Sequence, residues 1–155
     1  MTLPLKLEYR VGVQAPPELI WSFVFDIAGW PAWNPLYPKA AGEVQFGAVL
    51  DLEEAFPGLA PHRIRPTVQD WTPNEQIIWR RAAFGGLLRM TRYIETERLS
   101  ETGCIFSNGE LYDGPVMRLI GRRRRRAIKA GFAAFGNAVA ARAEADFRAA
   151  GGSAT

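Results

Sequence analysis

Residues 116–149, VMRLIGRRRRRAIKAGFAAFGNAVAARAEADFRA, decide the fold. The stretch lacks proline and is rich in Ala and Arg, both strong helix formers. It predicts one helix of about 34 residues, ~50 Å long at 1.5 Å per residue. Ile128, Phe132, Phe135 and Val139 recur at steps of four and three and lie on one stripe, which Phe147 continues. Short partners cannot cover a helix of that length. It needs the concave face of a strongly curved sheet.

The residues before it supply such a sheet. Leu5, Leu7, Tyr9, Val11 and Val13 alternate along LKLEYRVGVQ and share one side of a first strand. Pro16-Pro17-Glu18 then opens a short helix, since proline is tolerated where the first amides lack intrahelical partners. Gly29 through Pro35 reads as a helical turn and a bend. Further strands are expected near 37–46, 48–55, 62–71, 75–83, 88–99 and 103–113, separated by Phe46-Gly47, Pro57-Gly58, Thr72-Pro73-Asn74, Gly85-Gly86 and Ser100 to Gly103. Seven strands joined by short turns imply an antiparallel meander, and with the helices an α+β domain over residues 1–149. Residues 150–155 are expected to be a disordered tail.

Composition narrows the classes. A chain of 155 residues fits one domain, and no apolar run approaches the ~18–20 residues of a membrane span. The N-terminus lacks the pattern of a secretory signal, so the expected location is the cytoplasm. Cys104 is the single cysteine, which excludes an internal disulfide and a cysteine-built zinc site. The net charge of +3 is uneven. Residues 1–114 carry 10 Lys/Arg against 14 Asp/Glu, and residues 115–155 carry 9 against 2, giving −4 and +7. The run Arg122 to Arg126 reads either as a patch for nucleic acid or an acidic membrane, or as a solvated helix face. The second reading is preferred and no nucleic-acid partner is expected, because the sheet half is acidic.

Several segments, in order and at matching spacing, resemble one superfamily. They are Ala15-Pro16-Pro17-Glu18 with Trp21; Trp30-Pro31-Ala32-Trp33-Asn34-Pro35; Pro73 followed by Ile77-Ile78-Trp79; Glu110-Leu111-Tyr112-Asp113-Gly114; and Phe132 through Glu144 with Asn137. Together they resemble the START, polyketide cyclase and Bet v 1-like (SRPBCC) proteins, in particular small bacterial members. The resemblance implies the helix-grip fold, with seven strands around the long helix and two short helices after the first strand. It also implies a cavity between sheet and helix. Members bind lipids, sterols, hormones or polyketides; some are enzymes, and others modulate partner proteins. No catalytic motif is shared across the superfamily, and function resides in the pocket.

Alternation nominates the pocket residues. In the last strand Cys104, Phe106, Asn108, Glu110 and Tyr112 share the concave face. Glu110 there is either a polar anchor or acid/base group for a ligand, or half of an ion pair with Arg81 or Arg92, which alternation puts on the same face. Trp33, Asn34, Tyr37, Leu52, Phe56, Trp79 and Ile94 are candidate walls or ordinary core, with Ile128 and Phe132 facing them from the helix. Arg124 falls in phase with Ile128 and either reaches the pocket mouth or turns to solvent. Phe84 to Leu88 is either a lid or a plain hairpin turn. His62, the one histidine, is a candidate acid or base without an orienting carboxylate nearby in sequence; Glu110 and Tyr112 are the other catalytic candidates. No nucleophile–base pair, metal set or cofactor motif is visible. The leading expectation is a carrier or sensor of a small hydrophobic ligand, no cofactor, and a monomer or homodimer. The alternatives are a cyclase or dehydratase using Glu110 and His62, and a partner- or nucleic-acid-binding module on the basic helix.

Overall fold

The computed structural model describes residues 3–152. Strand β1 (Leu5–Val13) leads into helix α1 (Pro17–Val24) and a 3-10 turn (Ile27–Ala32). Strands β2 (Lys39–Ala41), β3 (Asp51–Glu54), β4 (His62–Ile64), β5 (Thr67–Thr72), β6 (Gln76–Ala83), β7 (Leu88–Ser100) and β8 (Gly103–Asp113) follow. A 3-10 turn (Pro115–Leu119) then precedes helix α2 (Arg122–Ala149). The two short helical pieces after the first strand and the long closing helix match the sequence reading.

The sheet is antiparallel throughout and lies in two parts, β1-β8-β7-β6-β5 and β2-β3-β4. Backbone hydrogen bonds across residues 47–50 join them: the Gly47 amide donates to the Val68 carbonyl at 2.9 Å and the Leu50 amide to the Pro66 carbonyl at 2.9 Å. The result is one curved surface with α2 laid across β1 and β8. Gly136 permits that crossing, since a Cβ there would come within 2.9 Å of the Tyr9 ring. Beside it the Tyr9 hydroxyl donates to Asn137 Oδ1 at 2.7 Å.

Several boundaries differ from the sequence reading. The expected strand 62–71 is two strands, giving eight among the described residues, because Arg65-Pro66 interrupts it and Pro66 has no amide to donate to a ladder. The expected strand 37–46 shrinks to Lys39–Ala41. It stops at Gly42, whose φ of +116° belongs to a turn. Helix α2 has 28 residues rather than 34, ~42 Å. Gly121 is its extended N-cap, so residues 115–119 form a separate turn at the rim of the sheet. At the other end the Gly152 amide closes on the Phe147 carbonyl at 2.8 Å, so the first residues of the expected tail are ordered as a helix stop. Residues 153–155 lie outside the described residues.

The stripe Ile128, Phe132, Phe135 and Val139 is buried against the sheet, as its periodicity predicts. Phe135 packs between Trp30, at a ring distance of 5.3 Å, and Phe106, at 5.6 Å. Trp30 continues the aromatic stack to Tyr37 at 5.0 Å and Trp79 at 6.1 Å.

A cavity with a charged floor

The inward face of the sheet carries an unusual load of polar side chains. Glu54, Arg92, Asn108 and Glu110 are all buried to 1% exposure or less, and Asn34, on the bend after the 3-10 turn, to 3%. Local pairing brings them together. The β3–β4 hairpin sets Glu54 directly opposite His62. The β7–β8 register sets Arg92 opposite Glu110 and Met90 opposite Tyr112. Arg81 enters from β6, where its register partner is Met90.

Arg92 is held on all sides. Its Nε donates to the Tyr37 hydroxyl at 3.1 Å, Nη1 to the carbonyls of Tyr93 and Gly109 at 3.0 and 3.2 Å, and Nη2 to Asn108 Oδ1 at 3.0 Å. The guanidinium also lies 4.3 Å from the Phe132 ring centroid. Asn108 passes the connection to the helix by donating to the Phe132 carbonyl at 3.0 Å. These contacts tie the strand to α2 and make Arg92 a structural residue.

The Tyr37 hydroxyl relays the positive charge by donating to Glu54 Oε2 at 3.0 Å. Glu54 Oε1 lies 3.1 Å from His62 Nε2 and 3.5 Å from Arg81 Nη2. Arg81 also reaches Glu110 Oε1, at 3.9 Å. That contact is a loose ion pair, and neither Glu110 oxygen meets a donor in hydrogen-bonding geometry, the neighbouring Tyr112 hydroxyl included. The two buried glutamates are therefore shifted in opposite directions. Burial pushes the Glu54 carboxyl up, but the His62 hydrogen bond and the charges of Arg81 and Arg92 outweigh it and hold Glu54 below its usual value. Burial pushes Glu110 up, the negative charge of Glu54 adds to that, and Arg81 offsets it only in part. Glu54 is kept ionised and Glu110 is biased toward its neutral acid.

Above this floor lies a cavity of about 640 Å³ between the sheet rim and the first turns of α2. That volume is in the range of small-molecule sites. Its walls are apolar: Phe56 and Leu59 on one side, Leu87, Leu88 and Met90 on another, Val116, Leu119 and Ile120 on a third, and Ile128 from the helix. His62, Arg81 and Tyr112 form the polar end, and Arg124 stands at the rim. A larger hollow of about 800 Å³ lies elsewhere, lined mainly by charged and polar side chains such as Lys6, Glu8, Glu95 and Arg98. It has neither apolar walls nor a buried polar end. No group of His, Cys, Asp and Glu among the described residues is arranged to hold a metal ion.

Of the residues nominated from sequence, Phe56, His62, Arg81, Tyr112, Arg124 and Ile128 line the cavity. Trp33, Asn34, Tyr37, Leu52, Trp79, Arg92, Ile94, Phe106, Asn108, Glu110 and Phe132 do not. All of these but the half-buried Trp33 are buried, packed in the core or, for Glu110, set behind Arg81. Their inward direction is as alternation predicts, but aromatic side chains fill that half of the sheet, so facing inward there means core. Glu54 escaped the sequence reading, although it shares the face of Leu52 and so marks an acid at an inward position. Leu88 and Met90, in phase with Arg92 on β7, were legible by the same rule.

Eight antiparallel strands curled around a long terminal helix, with a cavity at one end of the grip, define a helix-grip domain. The chain belongs to the polyketide cyclase / dehydrase and lipid transport family, whose model matches residues 4–146, and thereby to the SRPBCC superfamily. Among solved structures it is similar to the di-domain aromatase/cyclase StfQ of the steffimycin biosynthetic pathway, with 17% identity and a TM-score of 0.73. That match covers 96% of this chain and 52% of StfQ, so the chain spans about half of the di-domain protein. It is also similar to the Zhui aromatase/cyclase from Streptomyces sp. R1128, with 21% identity, a TM-score of 0.71, and coverage of 97% of this chain and 99% of that one. A START superfamily protein from Mycobacterium smegmatis matches with 18% identity, a TM-score of 0.68, and coverage of 90% and 97%. At these identities the likeness is one of fold. No curated protein matches the chain. Among the described residues no helix is long and apolar enough to cross a membrane.

Proposed function

We propose that the chain binds one small molecule with an apolar body and a single polar end, and that it acts as a carrier or sensor of that molecule. The observation that carries this reading is the distribution of polarity in the cavity: apolar walls on three sides, with His62, Arg81 and Tyr112 together at one end. Apolar burial at roughly 25 cal/mol per Å² supplies the affinity. Arg81 and the Tyr112 hydroxyl supply orientation, and both favour a carbonyl, carboxylate or phenol oxygen on the ligand. The family's scope, lipid transport beside cyclase and dehydrase chemistry, supports a ligand of this kind.

A second reading rests on the Glu54–His62 pair. An ionised Glu54 that accepts from His62 Nε2 leaves Nδ1 as the free acceptor of the ring. A histidine oriented in this way by a buried carboxylate suits proton abstraction next to a carbonyl whose oxygen Arg81 holds, the chemistry of a cyclase or dehydratase. Native mass spectrometry of the purified protein tests the first reading through a co-purifying metabolite. Titration with the apolar fluorophore 1-anilinonaphthalene-8-sulfonate tests it independently. Probe binding by the native protein that is lost in Ile128→Trp, which fills the cavity, is the expected result. Absence of both a retained molecule and probe binding sinks it. Conversion of a bound carbonyl compound that His62→Gln abolishes, with probe binding kept, would favour the enzyme.

A further inference from the structure

We propose that the rim of the cavity is a docking surface for an anionic lipid bilayer, so that an apolar ligand passes between membrane and cavity without crossing water. Two features of the rim meet here, and neither serves the fold.

The first is a set of apolar side chains held out in solvent. Leu119 is 80% exposed, Phe84 67% and Leu87 51%, and all three border the cavity mouth. Phe84 and Leu119 stand on two separate turns, 84–86 and 115–119, and Leu87 caps the first of them. Phe84 has a φ of +54°, a left-handed conformation that costs a bulky residue energy. Gly85 and Gly86 follow at +65° and +93°. An aromatic ring kept in solvent by a strained backbone gains nothing within the chain. A partner that receives the ring accounts for it.

The second is charge. Arg122, Arg123, Arg124 and Arg126 are exposed on the first turns of α2, where no acidic side chain accompanies them. The cationic side chains stand at the helix end that already bears positive partial charge, an arrangement unfavourable for the helix alone and complementary to a dense anionic surface. Arg124 borders the cavity itself. Arg122, Arg123 and Arg126 border an adjoining hollow beside Pro57-Gly58-Leu59, and Leu59 is common to both. The apolar tips and the arginines therefore form one surface around one opening.

Protruding apolar tips with a basic collar match a membrane interface, where the tips enter the acyl boundary and the arginines meet lipid phosphates. An acidic protein would pair with the arginines but would leave the tips unexplained. Passage of a ligand rests on the proposed cavity binding, whereas docking is tested apart from it, because probe binding in the absence of vesicles reports the cavity alone.

Co-sedimentation with vesicles of phosphatidylglycerol and phosphatidylcholine, against vesicles of phosphatidylcholine alone, tests the proposal. The native protein is expected to partition onto the anionic vesicles and far less onto the neutral ones. Arg122→Glu/Arg123→Glu/Arg126→Glu should lower that partition on the order of a hundredfold. Phe84→Ser/Leu119→Ser should lower it by about tenfold while leaving the circular dichroism spectrum unchanged. The substituted side chains are exposed, so folding is preserved. Failure to sediment with anionic vesicles overturns the proposal. So does binding that ignores Phe84→Ser/Leu119→Ser and is matched by polyglutamate, which would mark a charge-only surface for an acidic macromolecule.

Discussion

The two halves of the grip lie between the same sheet and the same helix, yet one is solid and the other hollow. In the solid half Trp30, Tyr37, Trp79, Phe106 and Phe135 stack at ring distances of 5.0–6.2 Å. In the hollow half the facing side chains are mostly Leu, Met, Val, Ile and Ala, with the rings of Phe56, Phe84 and Tyr112 spread around the space, and the helix stripe runs out. One turn before Ile128 the next position in phase is Arg124, which turns to the rim. A cavity persists where the chain places mostly aliphatic or small residues around the space and an arginine on the helix. The dividing layer is the charged floor, whose Arg92, Tyr37 and Glu54 link helix, bend and both sheets.

The sharpest way to break this comparison is to hollow the solid half. Phe135→Ala removes a fully buried ring that touches four aromatic neighbours. It should cost about 3–5 kcal/mol, read by urea unfolding. Probe affinity at the other end should change little. If the variant instead gains probe capacity, the two halves share one space and the floor is no barrier.

The next effect in size lies in the floor. Glu54→Gln leaves the Arg81 and Arg92 charges without their buried counter-ion, and it should destabilise by about 3 kcal/mol. The sign with pH follows from the depressed carboxyl. Glu54 contributes stability that is present above the unfolded carboxylate value and is lost as pH falls through its lower folded value. Glu54→Gln should therefore be much weaker than the native protein at neutral pH and should converge with it in acid. A parallel offset at every pH would mean that the loss comes from packing.

How far sequence could reach follows from the same division. The helix stripe, the inward face of β8, and Arg81 and Arg92 beside Glu110 were legible, because periods of 3.6 and 2 depend on the backbone alone. The split between wall and core was not. It depends on whether residues distant in sequence, such as Trp30 and Phe135, meet in the space that a strand side chain faces. His62 read as lacking a carboxylate for a related reason. Its partner Glu54 sits eight positions earlier, across a hairpin whose register residues 55–61 set through a loop without a standard two-residue turn. The basic run was visible at once, with Leu119 three positions before it, but Phe84 joined it only when two turns met at one rim.

Glu110 sharpens the comparison at the smallest scale, since neither of its buried carboxylate oxygens accepts a hydrogen bond. Its folded-state value is raised, first by burial and then by the charge of Glu54. The native form is thus least penalised below the unfolded carboxylate value, where both states hold the proton. Stability falls as pH rises through the raised folded value, as the native state must then keep a proton against the solvent or bury a second negative charge. Glu110→Gln keeps the shape and removes that ionisation. It should be neutral to stabilising, by about 1 kcal/mol at neutral pH, with the difference vanishing in acid. This is opposite in sign to Glu54→Gln, although both remove a carboxylate from one cluster and Arg81 lies between them. Urea unfolding of both variants across pH 4 to 8 measures the contrast. If Glu110→Gln proves as damaging at neutral pH as Glu54→Gln, then Glu110 is an ionised partner of Arg81 and the floor has two anchors instead of one.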